Sequence, residues 1–224
     1  MQLRVNKKIL FYIFLIIILS TLNNKFFSAI KLKTIDKITI KGLEGKEKRE
    51  LLSNLEFLNL NNIFFLDKFK VIEKLEANEL IENYTIFKKY PSSLEIRINK
   101  TKFLANVFKD GKFFVLGSNG KLIQTVNKND NLPNIFGNYD KDSFFNLLKY
   151  IKKSNFELFE IKNLYFFKSG RWDIETNDNM IIKLPKKNLV ASLNLALDLI
   201  NYSKSKNIKI LDFRQEKQVI INGK

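Results

Sequence analysis

The chain opens on a block of apolar residues and then changes texture. Ile9 to Leu22 (ILFYIFLIIILSTL) is almost uninterrupted hydrocarbon, behind a tip that carries Arg4, Lys7 and Lys8. Beyond residue 30, alternating and helically spaced apolar positions continue to the end. This layout predicts a cytoplasmic tip (1–8), a membrane-spanning signal anchor (9–29) and an extramembrane body. Ile9, Phe11, Ile13, Leu15, Ile17 and Leu19 are the expected membrane-spanning residues. The apolar core has the length of a signal-peptide hydrophobic region, about 7–15 residues. Cleavage after Ala29, Ser28 or Ser20 would put Phe27, Phe26 or Ile18 where a small residue is read, so the segment is expected to stay attached. A spanning helix needs about 20 residues. Extension through Phe26, Phe27 and Ala29 supplies them, with Lys25 able to snorkel to the interface. Lys25, Lys31, Lys33 and Lys37 balance the basic tip, so charge does not set the orientation. The brevity of the tip and its signal-like start predict a single-pass membrane protein with a cytoplasmic N-terminus and an exported body.

Within the body, Ile35 to Lys41 alternates and stops at Gly42, as a strand does before a turn. Lys46 to Leu55 places Leu51, Leu52 and Leu55 on one helical face. Asp67 is the expected N-cap of a helix over Lys68–Ala77, with Val71, Ile72 and Leu75 as its stripe. Strands Ile81–Lys89 and Leu94–Ile98 then flank a turn at Tyr90-Pro91-Ser92-Ser93. The order β-α-α-β-β predicts two helices on one face of a three-stranded sheet, a domain over residues 33–100.

Residues 101–224 read as a larger β-sheet domain with packed helices. Phe113–Leu116 and Leu122-Ile123 flank Asn119-Gly120, a tight-hairpin signal. A helix is expected over Asp142–Lys153, with Phe144, Phe145, Leu148 and Ile151 inward, then a strand at Leu164–Phe167. Arg171-Trp172-Asp173-Ile174 starts a second hairpin that turns at Asn177-Asp178-Asn179 and returns through Met180–Pro185. Lys186–Tyr202 is the strongest helical pattern, with Leu189, Val190, Leu193, Leu197 and Ile200 on one side. Strands at Ile210–Arg214 and Gln218–Asn222 close the series. The fold class is α+β throughout.

Composition narrows the chemistry. With no cysteine and no histidine, the chain offers neither Cys–His nor Ser–His catalysis, nor the usual zinc, copper or haem ligands, so no cofactor or metal is expected. The formal charge of +16 reflects lysine scattered through an Asn- and Ile-rich sequence rather than one basic stripe. It suits an AT-rich coding bias, and no nucleic-acid partner is expected. Asp173 and Glu175 share a strand face while Asp178 belongs to a turn, which argues against an acid/base pair. Trp172 reads as a packing residue.

The stretch Lys88–Ile98 (KKYPSSLEIRI) resembles the closing hairpin of a POTRA domain. In order, Phe113–Ile123, Leu132–Gly137 (LPNIFG), Arg171–Pro185 and Ile210–Arg214 (ILDFR) resemble the bacterial division family FtsQ/DivIB. The family's acidic–proline–alanine–aromatic motif is represented here by Lys100, Phe103, Ala105 and Val107, of which the alanine alone matches. The resemblance implies a non-catalytic divisome scaffold that recruits and couples septal proteins and so helps control septal peptidoglycan synthesis. It further implies small bitopic partners (FtsB/FtsL-like) adding a strand at the terminal edge. Arg214, Gln218, Val219, Ile220 and Ile221 are the expected docking residues, with Arg171 in support. A homodimer stays open. Two other readings compete: a secretion or assembly module that chaperones exported chains, which further POTRA repeats would favour, and a carboxylate enzyme acting on wall glycan, which a buried acid pair in a cleft would favour.

Overall fold

Parallel strands cannot be joined by a tight turn, and this rule organises both sheets. The computed structural model describes residues 7–21, 33–204, 208–215 and 218–222. They gather into two compact units, residues 1–71 with 85–97, and 72–84 with 98–224.

In the smaller sheet, β1 (Lys37–Lys41) runs parallel to β3 (Ser93–Lys100), which forms a hairpin with β2 (Ile81–Lys89), giving the order β1-β3-β2. The crossover from β1 carries helix α2 (Gly45–Asn54), a 3₁₀ turn at Glu56–Leu60 and helix α3 (Lys68–Ala77). Asp67 caps α3 as its sequence predicts, its Oδ1 accepting from Phe69 N at 3.0 Å. Leu51, Leu55, Leu58, Val71 and Leu75 are fully buried, as are Ile40 and Ile96 on the strands. The expected β-α-α-β-β order is present.

Helix α1 (Lys7–Thr21) is 15 residues long, about 22 Å at 1.5 Å per residue. Among the described residues no helix is long and apolar enough to cross a membrane. The remainder of the expected span, with Lys25, Phe26, Phe27 and Ala29, lies outside the described residues. Ile9, Phe11, Ile13, Leu15, Ile17 and Leu19 all have exposed side chains, so the helix is apolar around its circumference.

The larger sheet has nine strands in the order β12-β11-β10-β9-β8-β7-β4-β5-β6. Their ranges are β4 Phe103–Lys109, β5 Lys112–Gly117, β6 Leu122–Thr125, β7 Asn134–Phe136, β8 Ile161–Phe166, β9 Trp172–Thr176, β10 Ile181–Lys183, β11 Ile210–Asp212 and β12 Ile220–Asn222. Two of its parallel pairs, β7–β8 and β10–β11, are each bridged by a helix: α4 (Lys141–Lys153) and α5 (Leu189–Lys204). Both helices bury apolar residues in one core with the sheet. Phe144, Leu147, Leu148 and Ile151 of α4, with Leu193 and Ala196 of α5, join Val107, Ile135, Leu164, Ile174, Ile182 and Leu211. Trp172 anchors the sheet to α4: its Nε1 donates to Ser143 Oγ at 2.9 Å, and its ring lies 4.8 Å from that of Phe166.

Several local expectations change. Phe103–Lys109, read for its motif alone, is a full strand, β4, placed between β5 and β7. Helix α5 starts at Leu189 rather than Lys186, after Asn188 at φ 60. Its fully buried positions are Leu193 and Ala196, while Leu189, Val190, Leu197 and Ile200 are half-buried. In the 117–121 turn Gly120 alone has positive φ. Gly137 is required by space, since a Cβ there would meet Phe166 O at 2.2 Å. The second half is one nine-stranded sheet, so it does not consist of the further POTRA repeats that would have favoured a secretion module.

Candidate functional site: the terminal strand and its basic cleft

Backbone groups along a strand alternate between its two neighbours, which fixes what β12 offers outward. Lys209 O accepts from Ile181 N and Phe213 N donates to Lys183 O, both at 2.9 Å, so the odd positions of β11 face β10. Ile210 and Asp212 therefore face β12, opposite Asn222 and Ile220. Asn222 O also accepts from Lys209 N at 3.1 Å. It follows that the N–H and C=O of Ile221 point away from the sheet. Among the described residues no strand pairs with that side. The side chains of Ile220 and Ile221 are 50% and 41% exposed.

Side chains repeat every second residue on a strand face. The face away from the helices carries one row through Tyr165, Asp173, Lys183, Asp212 and Ile220, read directly from strand register. Two positions from each buried aspartate stands its arginine. Arg171 Nε donates to Asp173 Oδ1 at 2.9 Å, and its guanidinium sits 4.4 Å from the Phe167 ring centroid. Arg214 engages Asp212 with Nε at 2.8 Å from Oδ1 and Nη2 at 2.5 Å from Oδ2. These hydrogen bonds lower the carboxyl pKa of Asp212, and in return Asp212 raises that of Arg214. Asp173 behaves oppositely: burial raises its pKa, and Arg171 only partly offsets the effect.

Arg171 and Arg214 also line one cleft of about 580 Å³, together with Pro185, Lys186, Lys187 and Phe213. Four cations thus border a partly apolar recess, while Asp173 and Asp212 each hold one of its two arginines. Such a recess suits a carboxylate-bearing, partly apolar segment. The structure brings together the two arginines singled out in the sequence and adds Lys186 and Lys187. Gln218 is exposed just before β12, whereas Val219 packs partly buried against the core. Glu216 and Lys217 lie outside the described residues. Glu175 is held elsewhere, accepting from Tyr165 Oη at 2.6 Å and Asn163 Nδ2 at 2.8 Å.

Comparison with known proteins fits this architecture. The FtsQ-type POTRA domain family matches residues 33–100, and the family described as cell division protein FtsQ/DivIB, C-terminal, matches residues 105–214. The chain belongs to the FtsQ/DivIB family. Among FtsQ/DivIB proteins, the cell division protein DivIB of Clostridium botulinum (strain Loch Maree / Type A3) is 35% identical over 136 residues, 60% of this chain and 52% of that protein. The cell division protein FtsQ of Bradyrhizobium diazoefficiens is 24% identical over 195 residues, 84% of this chain and 56% of that protein. That of Rickettsia typhi is 26% identical over 191 residues, 80% and 70% respectively. The chain spans about half the length of the curated DivIB relatives it matches.

The cleft lysines and the aspartate partners were missed in the sequence, although a signal was present. Arg171-Trp172-Asp173 and Asp212-Phe213-Arg214 are mirrored R-x-D and D-x-R triplets. A two-residue spacing on strands puts each pair on one face. Lys186 and Lys187 gave no comparable signal, because their position depends on where α5 begins.

Proposed function

We propose that the protein is a non-catalytic division scaffold of the inner membrane, tethered through its N-terminal apolar segment with its body in the periplasm. The relatives named above as cell division proteins support the division role. On this reading a small bitopic division protein, FtsB- or FtsL-like, adds a strand to the outer side of β12 and sets carboxylates into the neighbouring basic cleft. Coupling such partners at the septum would help control septal peptidoglycan synthesis. The carrying observation is the outward-pointing backbone of Ile221, at an unpaired edge in the same sheet as the Arg171–Arg214 cleft.

Site-specific photo-crosslinking along residues 210–222 in dividing cells tests it. The expected product is an adduct with a small coiled-coil membrane protein, strongest at Ile221. Capture of lipid or glycan alone, or of nothing, would overturn the proposal.

A further inference from the structure

Where the chain enters the three-stranded domain it is gripped from two sides. Thr34 bridges Asn62, whose Nδ2 donates to Lys33 O at 3.0 Å, and Ile35 N donates to Asn61 O at 2.9 Å. From the other side, Asp36 N donates to Ser92 O at 3.0 Å, and Ser92 Oγ donates to Asp36 Oδ1 at 2.9 Å. Both gripping segments carry apolar tips that face water. Asn62 Oδ1 accepts from Phe64 N at 2.8 Å and so folds the loop that presents Phe64 and Phe65. The Phe64 ring lies 4.9 Å from that of Tyr90, two residues before Ser92. Leu60 adjoins Asn61, and Phe69 stands in the first turn of α3. Leu60, Phe65 and Phe69 are 87%, 78% and 85% exposed, and Phe64 and Tyr90 are exposed as well.

A group of five large apolar side chains, each exposed, is more than the single scattered residues an ordinary surface carries. We propose that Leu60, Phe64, Phe65, Phe69 and Tyr90 form a collar that lies in the headgroup region of the bilayer. The domain then rests on the membrane instead of swinging from it. This rests on the tether reading of α1 given above. Three observations select lipid as the occupant. The segments that carry Leu60, Phe64, Phe65 and Tyr90 flank residues 33–36, where the chain enters the domain, and the 11 residues between them and the apolar helix reach at most about 40 Å when extended. That connection itself carries Phe26 and Phe27 between Lys25 and Lys31. The rim is polar: Asp36 pairs with Lys33 at 2.6 Å and Asp67 with Lys70 at 3.9 Å, while Lys68 is exposed beside Phe69. Aromatic rings with a polar surround favour the membrane–water interface, and a lysine such as Lys68 keeps its ammonium group among the headgroups.

The chain has no cysteine, so single-cysteine labelling is clean. The full chain is reconstituted in nanodiscs of phosphatidylcholine and phosphatidylglycerol doped with nitroxide-labelled lipid. Bimane is placed in turn at Phe65→Cys, Phe69→Cys, Ile13→Cys and the exposed Lys46→Cys. The expected result is quenching at positions 13, 65 and 69 several-fold greater than at 46. Quenching at 13 with positions 65 and 69 no different from 46 would overturn the collar while leaving the tether intact. No quenching at 13 would overturn the tether, and the collar with it. A photo-crosslinker at position 65 in cells gives a second readout: lipid adducts support the collar, and a protein adduct without lipid overturns it.

Discussion

Replacing Ile221 with proline separates the outer side of β12 from its inner side. Proline removes one N–H and no carbonyl, and it is tolerated on edge strands where that N–H faces solvent. The inward bonds of β12 are made by Ile220 and Asn222 with Asp212 and Ile210, so the internal ladder stays whole. What is lost is a donor to an added strand. One backbone hydrogen bond contributes about 1 kcal/mol net, and the partner carbonyl left unpaired costs a further ~1–3 kcal/mol. A loss of about 2–4 kcal/mol corresponds to roughly 30- to 700-fold in Kd. Calorimetric titration of the full chain in nanodiscs with the extramembrane segment of an FtsB-like protein measures this, and thermal melting controls for folding. Ile221→Ala keeps the N–H and should weaken binding only a few-fold. Ile220→Pro removes a bond to β11 and should destabilise the edge itself. Wild-type affinity in an Ile221→Pro chain that melts normally would refute strand addition.

Three further outcomes are expected. Lys186→Glu with Lys187→Glu reverses half of the cleft's cations and should slow association of an acidic partner segment by about tenfold at low salt, with little change in melting and a smaller salt dependence, by stopped-flow or surface-based kinetics. Glu95 has its pKa pulled from 4.5 to about 2 by hydrogen bonds from Lys89, then Arg97, with Lys41 adding to them. A depressed carboxylate contributes stability that is complete above its unfolded value and is lost as pH falls through the folded one. The melting temperature should therefore decline between pH 4.5 and about 2, and Glu95→Gln should flatten that decline. Trp172→Ala deletes a buried indole bonded to Ser143 and should cost about 3–5 kcal/mol in denaturant titration, whereas Trp172→Phe, which keeps most of the ring contacts, should cost clearly less.

Local rules carried the reading furthest where a single residue type controls the backbone. The Asp67 cap and both ends of α3 were legible, and so were both ends of β2, because capping and alternation act within a few residues. Strand β4 was not legible as a strand. Its register is set by pairing with β5 and β7, the latter almost 30 residues away. The start of α5 was misplaced because the positive φ of Asn188 ends the preceding turn, and asparagine signals that only weakly. For the candidate site, Arg171 and Arg214 were legible as unusual charges in a lysine-dominated chain. That they share a cleft depends on the β9-β10-β11 order, which pairs strands on either side of α5. No local pattern encodes that meeting.

The parallel junction of β10 and β11 has a consequence for biogenesis. Because α5 must cross the sheet before β11 can align, the three-residue β12 has no template until the closure that pairs Ile181 with Ile210 is complete. Contacts of such long sequence separation form late, once their loop entropy has been overcome. If a partner docks by adding a strand as proposed, a partly folded molecule would offer it no receptor strand, and recruitment would discriminate finished molecules from unfinished ones without any separate inspection step.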